Sequence, residues 1–185
     1  MRKLKVLLVV DYQYDFVDGT LGFDSAKELD EGIAALVEEY VKAGYIVIFT
    51  FDTHGNDYLV TQEGRRLPVE HTIKGTKGWR LYGKVGEVHD RYVNTECTII
   101  DVNKPTFGSA GLVKVLEGMQ VTGEIESITV VGVVTNMCVI SNAAIAKAAC
   151  PEARIVIKKD LVDSFDKEAH QKALDIMATM QMDIE

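Results

Sequence analysis

The sequence has no block of lysines and arginines, no apolar run long enough to cross a bilayer, and no cysteines paired at a motif spacing. Each absence removes a class of function. Lysine and arginine total 20 against 28 aspartates and glutamates, a net charge of -8 that makes nucleic acid an unsuitable partner. A membrane span needs about 20 consecutive apolar residues, so no membrane role is expected. The three cysteines, Cys97, Cys138 and Cys150, fit neither a disulfide framework nor a cysteine zinc site. Reduced thiols and a cytoplasmic location are the default for such a chain. The apolar stretch Val6–Val10 near the start is too short for a signal peptide and ends at Asp11, so it reads as a first strand. No repeat, low-complexity segment or linker divides the chain, and one domain over residues 1–185 is expected.

What is present is most concentrated between Ser127 and Ala149. Ile128–Val134 is a mostly apolar, β-branched run that reads as a strand buried on both faces. Thr135 and Asn136 favour caps and turns, and an alanine-rich segment of high helix propensity follows. Cys138 therefore falls in the first turn of a helix. Free backbone N–H groups and the helix dipole there would lower a thiol pKa. A nucleophile is one reading; a buried structural cysteine fits the same local pattern.

The same strand-then-helix alternation runs through the chain. Further strands are read at Lys5–Val10, Ile46–Phe51, Cys97–Ile100, Ile155–Ile157 and Met182–Glu185. Ser25 and Glu28 have the spacing of a capping box ahead of a helix whose inner face is Leu29, Ile33, Leu36, Val37, Tyr40 and Val41, with Gly44 as its stop. A helix is expected at about Leu112–Met119. A last one, capped by Asp166, would turn Ala169, Ala173, Ile176, Met177 and Met180 inward. The pattern implies an α/β fold: a three-layer α-β-α sandwich around a mostly parallel, Rossmann-like central sheet of five or six strands.

Chemistry-bearing residues recur where these strands end, the edge at which open α/β sheets bind ligands. Asp11 follows the first strand, Asp52 and His54 the second, and Cys138 the strand at Ile128–Val134. Lys104 lies beyond the third, in a loop punctuated by Pro105, Gly108 and Gly111. Taken singly, Asp11 could be a loop acid and Lys104 a solvated lysine. Asp52 and His54, two apart, point the same way in an extended segment and begin a divalent metal site. The long segment 55–83 offers Glu63, Glu70 and His71 as further ligands. Trp79 reads as a packing anchor, and His89 and His170 as structural or solvent-facing.

In this order the motifs Asp11-x-Gln13-x-Asp15-Phe16, Asp52-x-His54, His71-x-x-x-Gly75-Thr76, the Lys104 loop and Gly132-Val-x-Thr135-x-x-Cys138-Val139 cover nearly the whole chain. The chain resembles the isochorismatase-like cysteine hydrolases, and in particular their nicotinamidase branch. That resemblance implies a small-amide substrate, most directly nicotinamide in NAD salvage, and a catalytic triad of Asp11, Lys104 and Cys138. It implies a divalent metal ion (zinc, manganese or iron) on Asp52, His54 and His71, with Glu63 as a fourth ligand. It also implies a cis peptide at Val133–Val134, an oxyanion hole from the N–H groups of Val134 and Cys138, and substrate contacts from Phe16 and Gln13. Relatives are often homo-oligomers, though no apolar face in the sequence commits to one.

The chain departs from many nicotinamidases at Leu67-Pro68-Val69-Glu70, where an aromatic wall becomes aliphatic, and at Thr72, where a cysteine is common. These departures keep another small amide, such as a carbamoyl compound or a pyrazinamide analogue, as an alternative. A non-catalytic member of the fold, with Cys138 as a thiol sensor or the surface as an interaction module, is the alternative of a different class. Isochorismatase chemistry itself, acting on a vinyl ether, would not use the cysteine.

Overall fold

The computed structural model describes residues 3–95 and 99–185 of the chain. Six parallel strands form one sheet in the order β3-β2-β1-β4-β5-β6: β1 Lys3–Val10, β2 Ile46–Asp52, β3 Ile99–Lys104, β4 Glu124–Val133, β5 Arg154–Asp163 and β6 Asp183–Ile184. Residues 97 and 98 of the third expected strand lie outside the described residues. Two short helices, α1 Tyr14–Val17 and α2 Asp24–Lys27, precede α3 Asp30–Lys42. Then come α4 Gly83–Tyr92, α5 Ala110–Thr122, α6 Ile140–Ala149 and α7 Lys167–Thr179. No described helix is long and apolar enough to cross a membrane.

Period-two alternation divides the core in two. Leu7 and Val9 of β1 pack with Ile33 and Val37 of α3 and Val85 and Val88 of α4 on one face. Leu8 and Val10 pack with Leu112 of α5, Ala143 of α6 and Met177 of α7 on the other. Burial on both faces explains why β1 and β4 read as near-continuous apolar runs. Each fully buried Leu, Val or Ile side chain contributes roughly 1.5–3 kcal/mol, so these central strands anchor the molecule.

Several helix boundaries follow the local signals. Gly44 adopts φ 70° just past α3, and Tyr45 N–H bonds back to the Tyr40 carbonyl, a left-handed helix stop. The Asp166 side chain accepts from Ala169 N–H at 2.9 Å and caps α7. Ser109 does the same for α5, accepting from Leu112 N–H at 3.1 Å. Of the expected inner face of α7, Ala173 and Met177 are buried and Met180 packs against the core, whereas Ile176 is exposed and Leu174 is buried instead.

Other expectations are corrected. Ser25 is no N-cap: it lies inside α2, and α3 begins after Leu29. The carboxylate that would favour the α3 start, Asp30, reaches across instead to Lys84 N–H (2.9 Å) and Val85 N–H (3.1 Å) and caps α4. β3 does not stop at Ile100. Val102 and Lys104 face inward while Asp101 and Asn103 are exposed, an alternation that carries the edge strand on to Lys104.

Gly132 fixes how β4 ends. It sits at φ 110° beside β1, and a Cβ there would collide with the Val10 carbonyl oxygen. The close backbone approach that only glycine allows brings the end of β4 against the end of β1.

Candidate active site

β3, β2, β1 and β4 are contiguous in the sheet, and their carboxyl ends are level: Asp52 is in register with Lys104, and Val10 with both Thr50 and Gly132. Asp11, Asp52, Lys104 and Cys138 therefore meet at one edge. The order of the strands reverses between β1 and β4, the switch point at which α/β sheets open a crevice.

At the centre is Lys104, now the last residue of β3 and 1% exposed. Its Nζ lies 2.6 Å from Asp11 Oδ2, 3.2 Å from Asp52 Oδ1 and 3.5 Å from Cys138 Sγ, and donates to the Thr106 carbonyl at 2.9 Å. Asp11 is fully buried, in a left-handed backbone conformation (φ 46°). Thr50 holds it twice: its hydroxyl donates to Asp11 Oδ1 at 2.7 Å, and Asp11 N–H reaches the same residue. A hydroxyl inside the apolar run Ile46–Phe51 was the available signal for Thr50.

Cys138 sits in a π-helical turn, Thr135–Val139, that leads into α6. The Val134 carbonyl accepts from Met137 N–H (3.0 Å) and Val139 N–H (3.2 Å) and passes over Cys138 N–H. Asn142 braces the turn, donating to the Cys138 carbonyl at 2.8 Å and to the Phe107 carbonyl at 2.9 Å. His170 touches it from α7, with Nδ1 2.9 Å from Thr135 Oγ1. The Val133–Val134 peptide is cis.

The electrostatics correct the expectation of a lowered thiol pKa. Burial pushes the Cys138 thiol well above its ordinary value, and the Asp11 charge adds to that, against the opposing effect of Lys104. Desolvation outweighs any helix-terminus effect. Asp11 is also raised, by burial first, with Lys104 pulling the other way and Asp52 reinforcing. Burial disfavours the Lys104 ammonium, but the charges of Asp11, Cys138 and Asp52 outweigh it and hold the proton there.

A second cluster adjoins the first. One ligand atom each from Asp52, His54 and His71 lie within 4.8 Å of one another, all three residues buried. His71 Nδ1 lies 2.8 Å from the Val69 carbonyl, so that nitrogen carries the hydrogen and Nε2 presents a lone pair to the cluster. His54 Nε2 is buried 2.9 Å from Asp52 Oδ2 without the geometry of a hydrogen bond, as two atoms facing one ion would be. These donors fit a divalent transition metal. Glu63 Oε1 stands a little outside, 3.6 Å from His54 Nε2 and 3.9 Å from His71 Nε2. Glu70 is exposed and away from the cluster. Thr72, with its strained φ of 45°, locks the loop: its N–H meets Asp15 Oδ2 at 2.8 Å and its hydroxyl Asp52 Oδ2 at 3.0 Å. Tyr58 lies against both imidazoles, tilted on His54 and edge-on to His71, with ring centroids 4.6 and 4.9 Å away.

A cavity of about 320 Å³ opens onto both clusters. Cys138, Asp52, Glu63 and His71 reach it, among apolar walls that include Phe16, Leu67, Val133 and Val134. Gln13 does not line it. Its amide is occupied by backbone, donating to the Asp52 and Trp79 carbonyls at 2.9 and 2.8 Å and accepting from Asp52 N–H at 2.8 Å, so it is a structural clamp. Trp79 is a packing anchor as expected, against Phe51. His89 is structural too: it is buried on α4, with Nε2 3.0 Å from Asp101 Oδ1.

A family model described as the Isochorismatase domain matches residues 5–184. An isochorismatase family protein of Bacillus subtilis, PncA, is 32% identical over 173 residues, covering 92% of each chain. Among solved structures, a nicotinamidase/pyrazinamidase from Bacillus subtilis superposes with a TM-score of 0.87 at 26% identity, covering 98% of each chain. A pyrazinamidase/nicotinamidase from Streptococcus mutans superposes with a TM-score of 0.86 at 26% identity, covering 98% of this chain and 99% of that one.

Proposed function

The chain belongs to the isochorismatase family of hydrolases, and from that premise we propose that it cleaves nicotinamide to nicotinate and ammonia through a thioester on Cys138. The observation that carries this reading is the Lys104 ammonium, 2.6 Å from Asp11 and 3.5 Å from the Cys138 sulfur, at a cavity that Cys138 lines. Burial favours the neutral thiol on Cys138, and the Lys104 ammonium 2.6 Å from Asp11 opposes the effect of burial on that carboxyl and favours its ionised form.

Asp11 takes the thiol proton as general base while sulfur attacks the amide carbonyl. The new C–S bond leaves a tetrahedral oxyanion. The N–H of Cys138, which Val134 passes over, and that of Val134 stabilise it, each donor being worth roughly 3 kcal/mol in comparable sites. Asp11 then gives its proton to the nitrogen, the C–N bond breaks and ammonia departs. Water attacks the thioester as Asp11 accepts its proton, and the acid and free thiol result. Lys104 keeps a positive charge beside both anionic forms throughout.

Phe16, which lines the cavity and lies against His71 with ring centroids 5.5 Å apart, packs on the substrate ring. Asp52, His54 and His71 would hold the metal ion, with Glu63 next to it. When bound, that ion would supply a Lewis-acid contact for the pyridine nitrogen. Elemental analysis should find zinc, manganese or iron stoichiometric with the chain, and a His71→Ala variant should lose it. Equal metal content in the two proteins would defeat the assignment.

Among the described residues no lysine or arginine lines the cavity, whereas Asp52 and Glu63 do. This favours an uncharged amide over a carbamoyl compound that carries a carboxylate. The test is ammonia release from nicotinamide, pyrazinamide and N-carbamoyl amino acids. Turnover of the first two is expected; release from the carbamoyl acids alone would refute the nicotinamide reading.

A further inference from the structure

The Asp52, His54 and His71 cluster lies between two cavities. Asp52 and His71 line the first, which Cys138 also lines, whereas His54 lines a second, of about 380 Å³. Glu63 lines both, with Oε1 3.6 Å from His54 Nε2 and 3.9 Å from His71 Nε2. The two differ in chemistry. The first is walled largely by apolar residues. Apart from Gly55 and Pro105 every residue lining the second is polar, none is lysine or arginine, and Asp57 and Glu63 make it negative. It also grades inward: Gly55, Asp57 and Gln62 are exposed, Glu63 is half-buried and His54 is buried. A hydrated dication sheds its waters only as other polar groups replace them, which apolar walls cannot do. An ion with six waters takes about 180 Å³ at the liquid share of about 30 Å³ per water, well within the second cavity.

We propose that the second cavity is the passage by which the metal ion enters and leaves. Asp57 draws the hydrated ion in, and Glu63, at the boundary of the two cavities, passes it to His54 and His71. The proposal rests on the metal reading of Asp52, His54 and His71 and adds a way to those ligands that the amide substrate does not occupy.

The test measures zinc release from the zinc-loaded chain into an excess of chromophoric chelator, with Kd from competition and the uptake rate from the two together. Gln62→Trp narrows the second cavity. It should slow release about tenfold with Kd unchanged, so that uptake slows equally, because a barrier on a passage acts in both directions. Asp57→Asn should lower the uptake rate about tenfold at low salt and much less at high salt, since the attraction of a dication by one carboxylate is screened. Leu67→Trp, which adds the same ring to the first cavity, should change neither rate. Unchanged rates in Gln62→Trp and Asp57→Asn, or slowing by Leu67→Trp in their place, would overturn the passage. Faster release with a weaker Kd in Gln62→Trp would overturn it too, as that is what damage to the ligands gives. Failure of the unaltered chain to retain zinc would refute the metal reading and the passage with it. No readout uses turnover, so a lack of amide hydrolysis would count against the amidase reading and leave the passage standing.

Discussion

Replacing Cys138 with alanine should lower ammonia release from nicotinamide by about 10⁴-fold or more, the scale seen when a covalent nucleophile is removed. The chain should still fold. The lost atom is one buried sulfur, and Tm should move by no more than about 4 °C, equivalent to roughly 1 kcal/mol for a chain of this length. Serine in its place should not rescue the rate, since its hydroxyl is far harder to ionise than a thiol. The substitution also separates the amidase from a thiol-sensing member of the fold. A sensor would show no turnover on any amide before the change, and unchanged amide turnover after it would remove Cys138 from the mechanism altogether. Stability against pH supplies a further check. The folded thiol ionises well above 9.0, its ordinary value, so folding is favoured fully below pH 9 and this contribution is lost as pH rises beyond it. The alanine variant lacks that group, and thermal unfolding at pH 8 and pH 10 should show a smaller alkaline loss in the variant than in the wild type.

The features read correctly from sequence are those whose signals are local. β1 and β4 declared themselves by β-branched runs, α7 by the Asp166 cap, and the stop of α3 by Gly44. The shared placement of Asp11, Asp52 and Cys138 followed from counting strands and using their common direction. What escaped depends on residues distant in sequence. α4 has no side-chain cap of its own and is capped by Asp30, more than fifty residues earlier, so no nearby pattern announces it. The family resemblance implied a substrate contact from Gln13, yet the backbone of Asp52 and Trp79 occupies its amide. The lowered thiol pKa failed for a related reason: helix position is local, but the burial that outweighs it comes from the whole sheet edge.

Lys104→Met should damage both stability and activity, and the two losses should be separable. The Lys104 ammonium pairs directly with both Asp11 and Asp52, and all three groups are almost completely buried. Removing one partner of a buried ion pair leaves an uncompensated carboxylate and costs about 3–5 kcal/mol. For a chain of this length that is a fall in Tm on the order of 10 °C. Asp52 retains the two imidazoles beside it, so Asp11 bears most of the cost. Its carboxyl, already raised by burial, loses the main effect that lowers it and rises further. A carboxyl whose folded pKa is raised favours folding fully below its unfolded value, near 3.8, and loses that contribution as pH climbs. The Tm deficit of the variant relative to wild type should therefore widen between pH 5 and pH 8. Combining Lys104→Met with Asp11→Asn removes the stranded charge and should recover much of the stability, a coupling that a double-mutant cycle measures directly. Activity should not return, because the double variant has neither the base nor the charge that favours a thiolate. If the double variant is no more stable than Lys104→Met, or if Lys104→Met unfolds at the wild-type temperature, the buried pair is not the keystone of this site.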